Sequence, residues 1–110
     1  MRSMAYAVGQ TVKVCLEFDL PLTRGVRRVV ATFANGHGDV AELIDVPAGA
    51  SECVGQEPTQ TSLQGRVAYP GFHGLKRLWV EHLRGVTHLD PPGIGFEVRG
   101  APKVVGWRLK

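Results

Sequence analysis

Cysteine is scarce in this chain: Cys15 and Cys53 are the only two among 110 residues. Two cysteines make no disulfide framework, and a domain of this length buries roughly 60–70% of the surface its unfolded chain exposes, so it needs no staples. Reduced thiols are the expectation. Long apolar runs are missing too, and nothing approaches the ~18 consecutive apolar residues of a membrane helix. The opening stretch from Met1 to Val8 has no apolar core of signal-peptide length. The expected location is therefore cytoplasmic, or that of a mature chain whose export signal has been removed, with no membrane partner. Charge of one sign is not strongly in excess. The formal charge is +3 and the pI about 9.2, but Glu17, Asp19, Asp39, Glu42, Asp45 and Glu81 interrupt the basic residues. A hydrophobic fraction of 44% beside 21% charged residues excludes disorder.

Catalytic signatures are also lacking. No Gly-x-Gly-x-x-Gly follows a strand, no Gly-Lys-Ser/Thr cradles a phosphate, and no carboxylates pair at a diagnostic spacing. Cys15 has Lys13 and Glu17 as same-face strand neighbours and no histidine paired with it by sequence, which is a poor setting for a nucleophile. We therefore expect no enzyme.

What the sequence does have is alternation. From residue 11 to 20, Val12, Val14, Leu16, Phe18 and Leu20 fall on one face, and Thr11, Lys13, Cys15, Glu17 and Asp19 on the other. Strict period-two patterning predicts a half-buried strand, ended by Pro21. Residues 26–34 predict a second strand with Val29, Ala31 and Phe33 inward, and with Arg28, Thr32 and Asn35 solvated or at a rim. Asn35-Gly36 then signals a hairpin to a strand over residues 40–46, with Ala41 and Leu43 on one face. Residues 47–62 are polar and aperiodic, with a short edge strand expected around Glu52 to Val54. Residues 63–69 alternate again, and Pro70-Gly71 turns the chain into a connection through Phe72, His73 and Gly74. In residues 75–83, Leu75, Leu78, Trp79 and Leu83 also fit a helical stripe, but so short a stretch, lying between Gly74 and Gly85, suits a strand better. A second loop is expected over residues 85–95, stiffened by Asp90-Pro91-Pro92-Gly93. Short strands follow through Ile94, Phe96 and Val98, and then through Val105, Trp107 and Leu109.

About seven strands with regular turn signals predict an all-β, antiparallel sandwich spanning residues 1–110 as one domain, with a small β-barrel as the alternative. The order of features resembles immunoglobulin-like and fibronectin-type-III-like modules: an alternating strand ending in Phe18-Asp19-Leu20-Pro21, a second strand, an Asn-Gly hairpin, then Trp- and Phe-bearing strands. The Cys…Trp…Cys arrangement of immunoglobulin domains is absent, because Trp79 follows both cysteines. No functional residue carries over from this resemblance.

Four histidines, His37, His73, His82 and His88, are the obvious metal candidates, with Asp90 behind the last. Zinc needs three or four converging ligands, and the His82/His88 spacing suits neither a helix face nor a strand face. We expect no metal and no cofactor. Basic residues gather at Arg24, Arg27 and Arg28, at Lys76, Arg77 and Arg84, and at Lys103, Arg108 and Lys110, with Tyr69, Phe72, Trp79 and Trp107 as potential stacking platforms. Aromatic residues at alternating positions are usually core, and Phe18, Phe33, Trp79 and Trp107 are expected there. The expected function is a non-catalytic module that binds a protein partner, or a second copy, through loops or sheet edges, with His73, Arg84, His88 and Asp90 as loop-borne binding residues. The alternative is a basic nucleic-acid-binding barrel. A third reading is a small metal-dependent or hydrolytic enzyme using His73, His82, His88 and Asp90.

Overall fold

The computed structural model describes residues 5–19, 26–45, 59–100, 104 and 106–109. Their regular structure is all β: β1 (Ala5–Ala7), β2 (Thr11–Glu17), β3 (Val26–Ala34), β4 (Val40–Asp45), β5 (Gln60–Arg66), β6 (Gly71–His82), β7 (Gly85–Leu89) and β8 (Gly95–Arg99). All eight join one sheet in the order β1-β8-β6-β3-β4-β5-β2, with β7 added to β6. Every pairing is antiparallel except β1 with β8. The sheet curls until its ends nearly meet, so the small barrel is the arrangement that fits, and a two-sheet sandwich is not confirmed.

Among the described residues, the turn between β1 and β2 links the two ends of the sheet. The turn between β1 and β2 brings Val8 N–H to the Arg99 carbonyl (3.2 Å) and Gly9 N–H to the Val67 carbonyl (2.8 Å), while Val67 N–H reaches Gln10 (3.4 Å). Gly9 holds φ +86 there, a left-handed conformation that costs glycine little. These bonds strap the two ends of the sheet together.

The interior follows the alternation. Val12, Val29, Ala31, Phe33, Ala41, Leu43, Leu63, Phe96 and Val98 are buried, with Val14, Leu16 and Phe18 packed partly buried against them. Phe96 anchors an aromatic group: Phe33 lies 4.9 Å from it, Tyr6 meets it edge-on at 5.8 Å, and His73 stacks on it at 5.5 Å.

Two bulges interrupt the period. Between β3 and β6, Val26 pairs with His82 and Arg28 with Glu81, leaving Arg27 extra; Thr32 pairs with Arg77 and Phe33 with Leu75, leaving Lys76 extra. A bulge sends residues three apart to the same face. Leu75 and Leu78 therefore both point inward, and Val26 joins Val29 against the core. The helix-like spacing in residues 75–83 is this bulge. Its consequence overturns one expectation: Trp79 stands on the outer face, not in the core.

Other expectations need correcting. The connection through Phe72, His73 and Gly74 is the start of β6, which runs for 12 residues. The expected loop over residues 85–95 contains β7, whose residues lack a strong apolar pattern and owe their strand geometry to pairing with β6. The strand after residue 62 begins earlier, at Gln60. Asn35 is not solvated but 7% exposed, because it builds the turn between β3 and β4. Described residues 104 and 106–109 form no strand, and Trp107 is 83% exposed rather than core. Cys15 is disulfide-bonded rather than reduced; a core that needs no staple does not prevent one, since a bridge requires only that two sulfurs meet in the right geometry. The edge strand expected around Glu52 to Val54, Cys53 itself, and Leu20, Pro21, Arg24, Val46, Lys103, Val105 and Lys110 lie outside the described residues.

Candidate functional site

β6 is long enough to have two neighbours in series along one flank. Gly71 to Gly74 pair with β8, and Leu78 to His82 pair with β7. β7 and β8 thus lie end to end, separated by residues 90–94. That excursion is pinned to β6 by Leu75 N–H donating to the Ile94 carbonyl (2.9 Å), and Ile94 N–H closes on the Pro92 carbonyl (2.8 Å). On the far side, β8 is covered by β1. β1 is only 3 residues long, and among the described residues nothing pairs with the far side of β7.

The backbone of β7 is accordingly an open ladder. Leu83 and Arg84 form the two-residue hairpin turn, so His82 and Gly85 make the closing hydrogen-bonded pair. Alternation along an antiparallel pair then turns the N–H and C=O groups of Val86 and His88 away from β6. Four of the five residues of β7 are exposed, Val86 to 53%. The strand contains no proline and no charged side chain, the usual devices that blunt an edge. His82 Nε2 hydrogen-bonds Thr87 Oγ1 at 3.2 Å, which ties the hairpin across its inner face.

Beside this edge the barrel gapes. A cavity of about 300 Å³ is lined by Leu16, Glu17 and Phe18 from the end of β2 and by Leu78, Leu89, Asp90 and Pro92 from the β6–β7 side. A second, separate cavity of about 250 Å³ has Val12, Val14, Ile94 and Phe96 in its wall. The first of them is a mouth next to β7, lined mostly by apolar side chains. Glu17 and Asp90 are the charged groups at that mouth.

The outer face is held differently. Arg28 and Glu81 form a two-pronged ion pair (Nε–Oε1 3.0 Å, Nη2–Oε2 2.8 Å), and Trp79 Nε1–H donates to the same carboxylate at 2.9 Å. The hydrogen bond from Arg28, reinforced by that from Trp79, lowers the Glu81 pKa below its ordinary value, and the same bond raises that of Arg28. His88 leans over Trp79 with ring centroids 6.1 Å apart. Further along, Thr32, Ala34, Val40, Lys76, Arg77 and Trp79 line a shallow groove of about 330 Å³.

Of the four expected binding residues, three gather at β7: Arg84 in its hairpin turn, His88 within it and Asp90 just after it, all exposed. The fourth does not. His73 is 1% exposed inside β6, stacked on Phe96, with Nδ1 donating to the Gly71 carbonyl at 3.0 Å. It is a core residue, not a loop residue. His82 and His88 point to opposite faces of the hairpin, and His37 lies exposed in the β3–β4 turn. Among the described residues, no three His, Cys, Asp or Glu side chains gather as a metal-ligating group. Leu16, Phe18, Leu78, Leu89 and Pro92 of the mouth, and Val86 of the edge, were not singled out from the sequence as binding residues. Leu16 and Phe18 carried the alternation signal, but nothing in it tells a sealed face from a gaping one. Compared with protein-family models, with curated proteins and with solved structures, the chain gives no match.

Proposed function

We propose that this protein is a non-catalytic recognition module that takes up an extended polypeptide segment as an added strand on β7. One observation supports this above all: β7 pairs on one side only, and the backbone groups of Val86 and His88 face outward along a strand without charge or proline. In strand addition the main-chain hydrogen bonds supply affinity, and pockets for alternate side chains supply selectivity. The mouth beside β7 offers such a pocket for an apolar side chain of the added strand. The test is selection of extended heptapeptides from a displayed library, followed by residue-resolved amide exchange. Bound peptides are expected to protect the Val86 and His88 amides. A library that yields no binders, or binders that leave both amides exchanging freely, defeats the proposal.

A second reading draws on the groove at Lys76, Arg77 and Trp79. Two exposed cations beside an outward-facing indole match the way single-stranded nucleic acid is held, by charge along the backbone and stacking on aromatics. Glu42 and Glu81 lie on the same outer face, which weakens the attraction. Mixed single- and double-stranded oligonucleotides at low salt separate the readings: no mobility shift removes this second one.

A further inference from the structure

The sequence across the open edge is self-complementary. Running from Arg84 to Asp90 it reads Arg-Gly-Val-Thr-His-Leu-Asp. Lay this segment antiparallel to a copy of itself with Thr87 at the centre, and Arg84 meets Asp90 of the copy. Gly85 meets Leu89, Val86 meets His88, and Thr87 meets Thr87. Opposite charges fall just beyond both ends of the paired strands, Arg84 in the hairpin turn and Asp90 directly after β7, and the residue with no side chain faces the largest apolar one. The central Thr–Thr pair is among the favourable cross-strand combinations. The backbone parity agrees with this register independently. Val86 and His88 are the residues whose N–H and C=O groups point outward, and this register places each opposite the other as a hydrogen-bonded pair. A shift by one residue would misalign both the backbone groups and the charges. Within the chain, neither Arg84 nor Asp90 is held in an ion pair among the described residues, and both are exposed.

We infer that the segment which β7 takes up is β7 of a second copy, giving a two-fold dimer with one sheet continuous across it. This rests on the strand-addition reading above. An isologous contact of this kind closes on itself, so association stops at two. The interface is short, and dimerisation is therefore expected at concentrations of roughly 0.1–1 mM rather than in dilute solution.

Charge exchange across the two-fold tests the register. In Arg84→Asp, acidic residues face each other at both ends; in Asp90→Arg, basic residues do. Both positions are on the surface, where substitution rarely disturbs folding, and circular dichroism checks each variant. Sedimentation equilibrium should show each single variant dimerising at least about tenfold more weakly than the wild type, which corresponds to ~1.4 kcal/mol. The double variant R84D/D90R should regain the dimer. An equimolar mixture of the two single variants should form a heterodimer, because every facing pair is then opposite in charge. A wild-type chain that stays monomeric at the highest concentration overturns the inference, as do single variants that dimerise like the wild type. If the wild type is monomeric while selected peptides still protect the Val86 and His88 amides, self-pairing falls and strand addition stands. If neither association occurs, both fall.

Discussion

Asn35 joins the β3–β4 turn to the start of β6 through one side chain. Its Oδ1 accepts from His37 N–H (2.9 Å) and Asp39 N–H (3.0 Å), and its Nδ2 donates to Asp39 Oδ2 and to the Pro70 carbonyl (both 3.0 Å). Asn35→Ala removes all four. A hydrogen bond contributes ~0.5–1.5 kcal/mol net, with the lower values where water can step in. The two turn amides lie near exposed Gly36 and His37, whereas Asn35 itself is 7% exposed. The expected loss is about 3 kcal/mol, or roughly 12 °C in Tm for a domain of this size. Urea unfolding followed by far-ultraviolet circular dichroism measures it. Asn35→Asp keeps an acceptor for the two amides but aims its second oxygen at the Asp39 carboxylate and the Pro70 carbonyl, two acceptors. That setting raises the pKa of the new carboxyl above its unfolded value. Its deficit against wild type is then full above the raised pKa and shrinks as pH falls through it, because protonation restores a donor. An alanine variant within ~0.5 kcal/mol of wild type would show that the turn holds without this side chain. A deficit in Asn35→Asp that is unchanged at acid pH would refute the placement of its second oxygen.

Further tests address the sheet, the outer face and the bridge. A Cβ built on Gly65 would overlap the Glu42 backbone carbonyl, where neither side can retreat. Gly65→Ala should therefore cost about 2–3 kcal/mol by thermal unfolding, and a neutral result would mean β4 and β5 do not approach as described. The lowered Glu81 pKa makes its contribution to stability full above the unfolded value and lost as pH falls through the lowered one. Indole emission from Trp79 should change over that same acid range and become flat there in Glu81→Gln, with exposed Trp107 as a constant background. Because Cys15 is disulfide-bonded, peptide mapping should find it resistant to alkylation until reductant is added; rapid labelling of unreduced protein would show a free thiol.

How much of this was legible follows from where each signal comes from. Alternation is a local consequence of the pleat, so Val12, Val29, Ala31 and Phe33 declare their inward faces in the sequence and are buried, while Ala41 and Leu43 declare only a shared face, which the structure turns inward. Which strands neighbour which is not local, and neither is closure: the barrel depends on the Gly9–Val67 strap, between residues far apart in the chain. The bulge at Lys76 leaves a trace in a segment that the sequence rightly assigns to a strand. Leu75 and Leu78 stand three apart on a segment too short for a helix, the spacing a bulge requires, and reading it so would have turned Trp79 outward. Arg84, His88 and Asp90 were singled out because they sat near glycines and prolines. The structure gives them a different common ground, the edge of a strand in place of a loop. His73 misled because a polar residue beside two glycines resembles a turn, whereas its ring stacks on Phe96 in the core.

The open edge itself has a cause in the sequence. A single strand running the length of β6 would combine β7 and β8, and β1 would need to lengthen to cover it. Asp90-Pro91-Pro92-Gly93 prevents the first step, since neither proline can donate to a ladder and Gly93 gives the backbone little reason to stay extended. Residues 90–94 therefore leave the line, and they are held by the Leu75–Ile94 and Ile94–Pro92 bonds rather than by pairing. β1 meets β8 in parallel, where Ala5 to Ala7 pair with Glu97 to Arg99, so the covered register ends before the excursion begins. β7 is left with β6 alone. The same residues shape the mouth, because Asp90 and Pro92 line the cavity that Leu16 and Phe18 would otherwise seal. The pocket thus arises from the proline pair, whereas the far side of β7 is open because β1 ends short of it. If Pro91 and Pro92 are replaced by threonine and valine, β7 and β8 should become continuous, and amide protection should extend through residues 90–94. Uptake of added strands at Val86 and His88 should persist, because nothing new covers the far side of β7. Loss of uptake by a folded chain whose amides are protected along that whole stretch would show that the edge depends on the excursion at residues 90–94 and not on the reach of β1.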